Sequence, residues 1–276
     1  MYGKSIELFL VNGTADSLIT AELSNWNGKA IKIPRTEVQD CAREDITGPG
    51  VYFLFCKEED GTDSVYIGEA ENVLDRLRQH LRDYKAEKEA YYWSTASVIV
   101  GRDLNKALIR YLEDRLVKIA RDCGRYKVLT KNTYSNTVLK ESQVATMEEF
   151  LDNIKIIVST LGYTVLTSMP TATDTTKYLF CKGSGSDAKG FISPGGFSVI
   201  KGSKVSAGTV PSFETRGKSY YKLRLQLEAD GTIADGQFQR DYEFNAPSAA
   251  SAVVMGHTSN GNVDWKDANG VKLKDL

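Results

Sequence analysis

The stretch from Gly50 to His80, GVYFLFCKEEDGTDSVYIGEAENVLDRLRQH, limits the possible folds of this chain more than any other. Two short apolar runs, Val51–Cys56 and Val65–Ile67, flank an acidic loop containing Asp60-Gly61, which is the sequence form of a β-hairpin. A tyrosine stands on each arm, Tyr52 on the first and Tyr66 on the second. Beyond the hairpin, Val73, Leu74, Leu77, Leu81 and Tyr84 recur at helical spacing and predict a helix over 72–84 with one apolar face. Arg76 and His80, one turn apart, fall together on the border of that face. A half-dry border suits groups that must meet a charged substrate.

Length and charge limit what surrounds this element. A chain of 276 residues is long for one small domain and suggests two or three, each able to bury a core. The formal net charge of −1 gives the whole molecule no attraction for polyanions, so a nucleic-acid site must be a local basic patch. Arg76, Arg78 and Arg82 follow one another within two turns of the predicted helix and form such a patch, partly offset by Glu69, Glu71 and Asp75. The four cysteines, Cys41, Cys56, Cys123 and Cys181, make no CxxC pair and, with His80 and His257, no zinc-ligand spacing. Buried, reduced thiols are expected. No apolar run reaches the length of a membrane span, and Met1-Tyr2-Gly3-Lys4-Ser5-Ile6-Glu7 lacks the apolar core of a signal peptide. A cytoplasmic location without a membrane partner is the expectation.

The rest of the chain divides around the hairpin. Residues 1–45 read as a small β-rich unit, with runs at 6–11, 18–23 and 30–33 separated by Asn12-Gly13 and Asn27-Gly28, and a short helix over 36–44. Trp26, in a loop, suits a lid on a small core better than a stacking platform for a base. Lys85–Glu89 is a charged helix end or loop, and Trp93–Val100 a third strand. A second helix spans 104–121, with Asp103 as its cap and Leu108, Ile109, Leu112, Leu116 and Ile119 facing the core. Glu113 borders that apolar face, where a carboxylate needs a partner or a cation. Arg110 or an arginine of the first helix is the ordinary candidate. A third helix is expected over 146–161, capped by Thr146, and a threonine-rich linker over 167–176. The last third mixes strands near 177–182, 189–192 and 197–200 with a segment at 220–228 that fits a helix through Tyr220, Leu223 and Leu227, the preferred reading, or a strand through Leu223, Leu225 and Leu227, then a helix after Pro247 and a strand around Asp264-Trp265-Lys266. Lys201-Gly202-Ser203-Lys204 is too short for a phosphate loop and reads as a basic turn.

Gly50-Val51-Tyr52 and Tyr66-Ile67-Gly68, on adjacent hairpin arms, followed by Arg76 two turns into a helix and His80 one turn later, resemble the GIY-YIG nuclease superfamily. Valine replaces the isoleucine of the first half-motif. The resemblance implies an α+β fold: a small three-stranded antiparallel sheet with flanking helices at 46–140, after the β-rich unit at 1–45. A helix and linker at 141–176 then lead to a mixed α/β accessory domain at 177–276. Asp241 to Ala250, with Gly256, Asn260-Gly261 and Trp265, resembles a C-terminal domain of unknown function that often accompanies such a unit in bacterial proteins.

The superfamily resemblance further implies a divalent-metal-dependent endonuclease acting on DNA, with RNA as the other candidate substrate. Tyr52 would be the general base, Tyr66 would orient water or phosphate, and Arg76 would clamp the phosphate with its forked donors. His80 would share the proton traffic. Glu113 falls where the family's metal-binding glutamate lies and would hold Mg²⁺ or Mn²⁺ through oxygen. Asn132 resembles the asparagine that closes the family's domain and, with Arg76, Arg78 and Arg82, is a candidate nucleic-acid contact. Tyr52, Tyr66, Arg76, His80 and Glu113 are expected to converge on one cleft. The competing expectation is a module on the same fold that binds nucleic acid or protein without cleaving it.

Overall fold

The computed structural model describes residues 2–58, 62–134, 137–168, 170 and 176–276. The expected hairpin turn at Asp60-Gly61 and most of the 167–176 linker lie outside the described residues. The fold is mixed α+β and divides into two units, 1–168 and 169–276.

In the first unit, seven strands form one sheet: β1 (Ile6–Leu10), β2 (Ile19–Leu23), β3 (Gly28–Pro34), β4 (Gly50–Lys57), β5 (Asp63–Ala70), β6 (Trp93–Gly101) and β7 (Lys127–Val128), in the order β1-β2-β3-β6-β4-β5-β7. The two predicted hairpin arms are paired neighbours, with Tyr52 opposite Gly68 and Leu54 opposite Tyr66. The expected three-stranded sheet is present only as the middle of this larger one. Strand β3 lies antiparallel along β6 from Gly28↔Gly101 to Pro34↔Thr95, so the segment 1–45 continues the sheet and is not a unit of its own. The physical reason is the outer edge of β6, whose backbone donors and acceptors β3 matches along its length.

Strand alternation sends the side chains of β4 to two different cores. Val51, Phe53 and Phe55 pack with Val65, Ile67 and Ile99 and with the helices α2 and α3 described below. Tyr52, Leu54 and Cys56 pack with Ala96, Val98 and Val100 on the other face. Helix α1 (Val73–Lys85) covers that second face with Val73, Leu74 and Leu77, each such burial contributing about 1.5–3 kcal/mol. Its cap is Asn72, whose side chain accepts from the amide of Asp75.

Helix α2 (Lys106–Cys123) is capped by Asn105 rather than Asp103: the Asn105 side chain accepts from the amides of Ala107 and Leu108, and Gly124 closes the helix at φ 63°. Helix α3 (Glu141–Thr160) starts well before Thr146, because the Gln143 side chain turns back to accept from the Lys140 amide. Thr146 sits inside it, its hydroxyl donating to the Ser142 carbonyl. The expected helix over 36–44 is two single 3₁₀ turns, Arg35–Glu37 and Glu44–Ile46. Trp26 packs on Phe150 of α3 with ring centroids 4.8 Å apart, as a lid on the core would.

The second unit has a four-stranded sheet in the order β13-β10-β9-β8, made by β8 (Leu179–Gly183), β9 (Ser186–Ser193), β10 (Gly196–Val199) and β13 (Tyr242–Phe244). Helices α4 (Pro211–Arg216) and α5 (Lys218–Ala229), a two-stranded ribbon of β11 (Ile233–Ala234) and β12 (Gln237–Phe238), then α6 (Pro247–Met255) and α7 (Gly261–Asp264) complete it. Trp265 is not on a strand. It follows α7, is fully buried against Phe197, and donates its indole N–H to the Pro247 carbonyl at 3.0 Å. The basic turn at 201–204 is held by Ser203, whose hydroxyl accepts from the Lys189 amide. All four cysteines are buried and unpaired. Among the described residues no helix is long and apolar enough to cross a membrane.

Candidate active site

The glycines of the two half-motifs have a steric explanation. A methyl group on Gly68 would stand 2.5 Å from the Tyr52 hydroxyl, and one on Gly50 would stand 2.6 Å from the Ile99 carbonyl oxygen. The first glycine therefore lets Tyr52 lie across β5, and the second lets β6 approach β4. Tyr52 is only 1% exposed as a result.

Around its hydroxyl the structure gathers Tyr66, Arg76 and His80. Arg76 Nε donates to Tyr52 Oη at 3.3 Å, and His80 Nε2 lies 2.9 Å from the same oxygen. The Tyr66 ring stacks on Tyr52 at 6.2 Å and meets His80 edge-on at 5.3 Å. His80 Nδ1 lies 2.6 Å from Glu89 Oε1, in the loop between α1 and β6. An ionised carboxylate only accepts, so Nδ1 carries the ring proton and Nε2 is left to accept from Tyr52. The result is a chain from Tyr52 through His80 to Glu89. Tyr91 is stacked on Tyr66 at 5.7 Å and favours the ionised form of Glu89, whose Oε2 is buried without a hydrogen-bond partner.

Electrostatics set the resting protonation. Burial, followed by the neighbouring Tyr66, pushes the Tyr52 phenol well above its ordinary value, with Arg76 opposing. Burial, then the Arg76 and Arg35 guanidiniums, lowers His80 to about 3, so the ring is neutral near pH 7 and its contact with Glu89 is a charge-assisted hydrogen bond. Burial raises Glu89, with Arg76 as the main opposing charge. Arg35 itself is held among the rings of Tyr84, Tyr92 and Trp93 at 4.7, 4.7 and 4.6 Å.

Glu113 belongs to a different group. Its helix α2 packs on the face of the sheet opposite α1, and the charges around it are Glu69, Asp114, Lys106 and Arg110. Alternation along β5 explains the separation: Tyr66 and Gly68 turn toward α1, and Glu69 turns with Val65 and Ile67 toward α2. The five expected residues thus fall into Tyr52 with Tyr66, Arg76 and His80 around it, and Glu113 beside Glu69. Arg110, the ordinary partner for Glu113, lies 3.8 Å from Glu69 instead, and Lys106 bonds Glu69 at 3.0 Å. Glu113 Oε2 is buried without a partner. Burial, then Glu69 and Asp114, pushes its carboxyl up to about 7, against Lys106 and Arg110. Among the described residues, no three His, Cys, Asp or Glu side chains cluster as metal ligands.

The candidate nucleic-acid contacts also separate. Arg78 Nη2 donates to the carbonyls of Gln39 and Cys41 at 3.2 and 2.8 Å, which ties α1 to the segment before β4. Arg82 and Asn132 are exposed. Asn132 adjoins Thr133, which bonds Asp114 at 2.6 Å, so it lies toward the Glu113 group. Sequence reasoning missed Glu89 and Arg35, because a carboxylate in a charged loop and an arginine after a proline carry no periodic signal.

No curated protein and no solved structure matches the chain. Residues 179–276 match the family described as a domain of unknown function (DUF4357).

Proposed function

We propose that the first unit is a GIY-YIG-type endonuclease that hydrolyses phosphodiester bonds in DNA with a divalent metal ion. The observation supporting this most directly is the meeting of Arg76 Nε and His80 Nε2 on the Tyr52 hydroxyl, at 3.3 and 2.9 Å. Phosphodiester hydrolysis needs an activated water, neutralisation of phosphate charge and help for the departing alkoxide. Tyr52 passes its own proton to His80 and then, as the phenolate, accepts the proton of the attacking water. Arg76 faces the phenolate that forms and, with its remaining donors, a phosphate oxygen. Tyr66 orients the water or the phosphate from the next strand.

Glu113 fits a metal ligand, since its buried Oε2 lacks a partner and its carboxyl is held at a raised pKa. Mg²⁺ or Mn²⁺ keeps several waters and needs only one or two carboxylates, and when bound it would supply charge neutralisation at the phosphate. The other reading, a module that binds nucleic acid without cleaving it, is favoured by the near-complete burial of Tyr52 and by the distinct surroundings of Glu113.

One experiment separates the two readings. The full chain is incubated with duplex, branched and single-stranded DNA and with RNA, in Mg²⁺, Mn²⁺ or EDTA, beside Tyr52→Phe and Glu113→Ala. The nuclease reading expects metal-dependent cleavage that Glu113→Ala abolishes. It expects Tyr52→Phe to slow cleavage by roughly 10²- to 10⁴-fold with little change in binding. Binding without cleavage of any substrate rejects it in favour of the module.

A further inference from the structure

We propose that Glu89 is the positioning residue of this site, fixing His80 in the one tautomer that can take the proton of Tyr52. The role rests on the nuclease reading for its catalytic consequence, but its structural half stands apart from it. Glu89 is outside both half-motifs, in the loop after α1, yet its carboxylate meets His80 Nδ1 at 2.6 Å with the His80 side chain fully buried. Every group facing the imidazole has a defined part. Tyr52 comes from β4 and Tyr66 from β5, Arg76 from α1 and Arg35 from the turn after β3; Tyr91, just before β6, stacks on Tyr66. Of these, the two arginines disfavour an imidazolium. Glu89 is the anion in direct contact with the ring.

The proton step balances within these residues. The Tyr52 O–H bond breaks and an Nε2–H bond forms on His80. The imidazolium so created keeps its Nδ1–H on Glu89, and the phenolate is left facing Arg76. Without Glu89, a buried imidazolium would stand between two guanidiniums with no countercharge, and the ring would be free to turn its protonated nitrogen toward Tyr52. A histidine oriented by a carboxylate and accepting from a hydroxyl is the same division of labour as in a catalytic triad, here applied to a phenol.

The chain contains two histidines, which makes the test direct. Imidazole ¹⁵N NMR of the full-length protein, assigned with His257→Gln, should find His80 as the Nδ1–H tautomer with Nε2 accepting. Glu89→Gln keeps a carbonyl that can accept from Nδ1–H, so the tautomer should persist while cleavage of the best DNA substrate slows by about 10-fold or more. Glu89→Ala should lose the tautomer and slow cleavage by about 10²-fold, with affinity for a non-cleavable DNA unchanged within about twofold. Glu89→Asp should restore part of the rate. A wild-type His80 in the Nε2–H form, or a Glu89→Ala protein with an unchanged tautomer, overturns the proposal. So does an unchanged cleavage rate in Glu89→Ala. If the wild type cleaves nothing, the nuclease reading fails while the NMR result still decides whether Glu89 fixes His80.

Discussion

Gly68→Ala should dislodge Tyr52, and the structure gives the size of the effect. The new methyl carbon would lie 2.5 Å from Tyr52 Oη, 2.6 Å from Cζ and 2.9 Å from Cε1 of Tyr66, where ordinary contact begins at 3.4 Å. Tyr52 must therefore move by most of an ångström. It cannot move freely: it is 1% exposed, its ring is stacked on Tyr66, and its hydroxyl is bonded to His80 and Arg76. Overpacking of this kind costs about 1–3 kcal/mol, and weakening a buried hydrogen bond adds about 1 kcal/mol. A loss of roughly 2–4 kcal/mol is expected in chemical denaturation of the full chain. Gly48→Ala is the control, since a methyl group there meets nothing within 4 Å. It should be neutral or gain a few tenths of a kcal/mol through the unfolded state. The His80 ¹⁵N signals should shift in Gly68→Ala and stay put in Gly48→Ala. Equal stabilities within about 0.5 kcal/mol and an unshifted His80 would refute the steric account of the second half-motif.

Glu113 gives a pH test: its folded pKa of about 7 exceeds its reference value of 4.5, so stability falls as pH rises between those values and is flat above and below. Glu113→Gln should therefore gain at pH 8 and not at pH 4, by at most about 3 kcal/mol and less with solvent screening; equal gains at both pH values would sink this. Added Mg²⁺ should raise the melting temperature of the wild type at pH 8 more than that of Glu113→Gln, and identical rises would remove Glu113 as the ligand. Arg78→Ala should destabilise the protein by about 1.5–3 kcal/mol, because it strips two carbonyls of a charged donor. Arg82→Ala should leave stability unchanged and weaken DNA binding, with a smaller salt slope by about 0.9; the reverse pattern would show that the roles are exchanged.

The sequence made local features legible where one period dominated. The apolar runs at 51–56 and 65–67, on either side of an acidic loop, predicted paired strands, and the apolar spacing of Val73, Leu74 and Leu77 predicted α1. The place of β3 beside β6 was not legible, because pairing between distant segments leaves no local mark in either. Caps failed in a consistent way: Asp103 and Thr146 are good capping types, but Asn105 and Gln143 have the geometry to reach the free amides. Tyr220–Glu228 satisfied both helix and strand spacings, and the structure makes it α5, with Tyr220, Leu223 and Leu227 on the core and Leu225 exposed. In the site, Tyr52, Tyr66, Arg76 and His80 were legible as a group because a hairpin and the helix after it fix their neighbourhood. Glu113 was legible as a residue needing a partner, but not as lying on the other face, since helix α2 returns to the sheet after β6.

That separation restricts where a substrate can meet both groups. Thr130 bonds the amide and carbonyl of Ile67 from the β7 side, whereas β7 itself pairs only with Ser64 and Val65. The Ile67 amide therefore faces that side, alternation turns the Glu69 amide the same way, and among the described residues no strand pairs with Gly68–Ala70 there. The end of β5 is thus an open edge. On one face stands the hydroxyl chain of Tyr52, His80 and Glu89; on the other stand Glu69 and Glu113 with Lys106 and Arg110. In the proposed reaction, a phosphodiester lying across that edge would let a proton leave toward the α1 side while a cation held by Glu113 on the α2 side would neutralise phosphate charge.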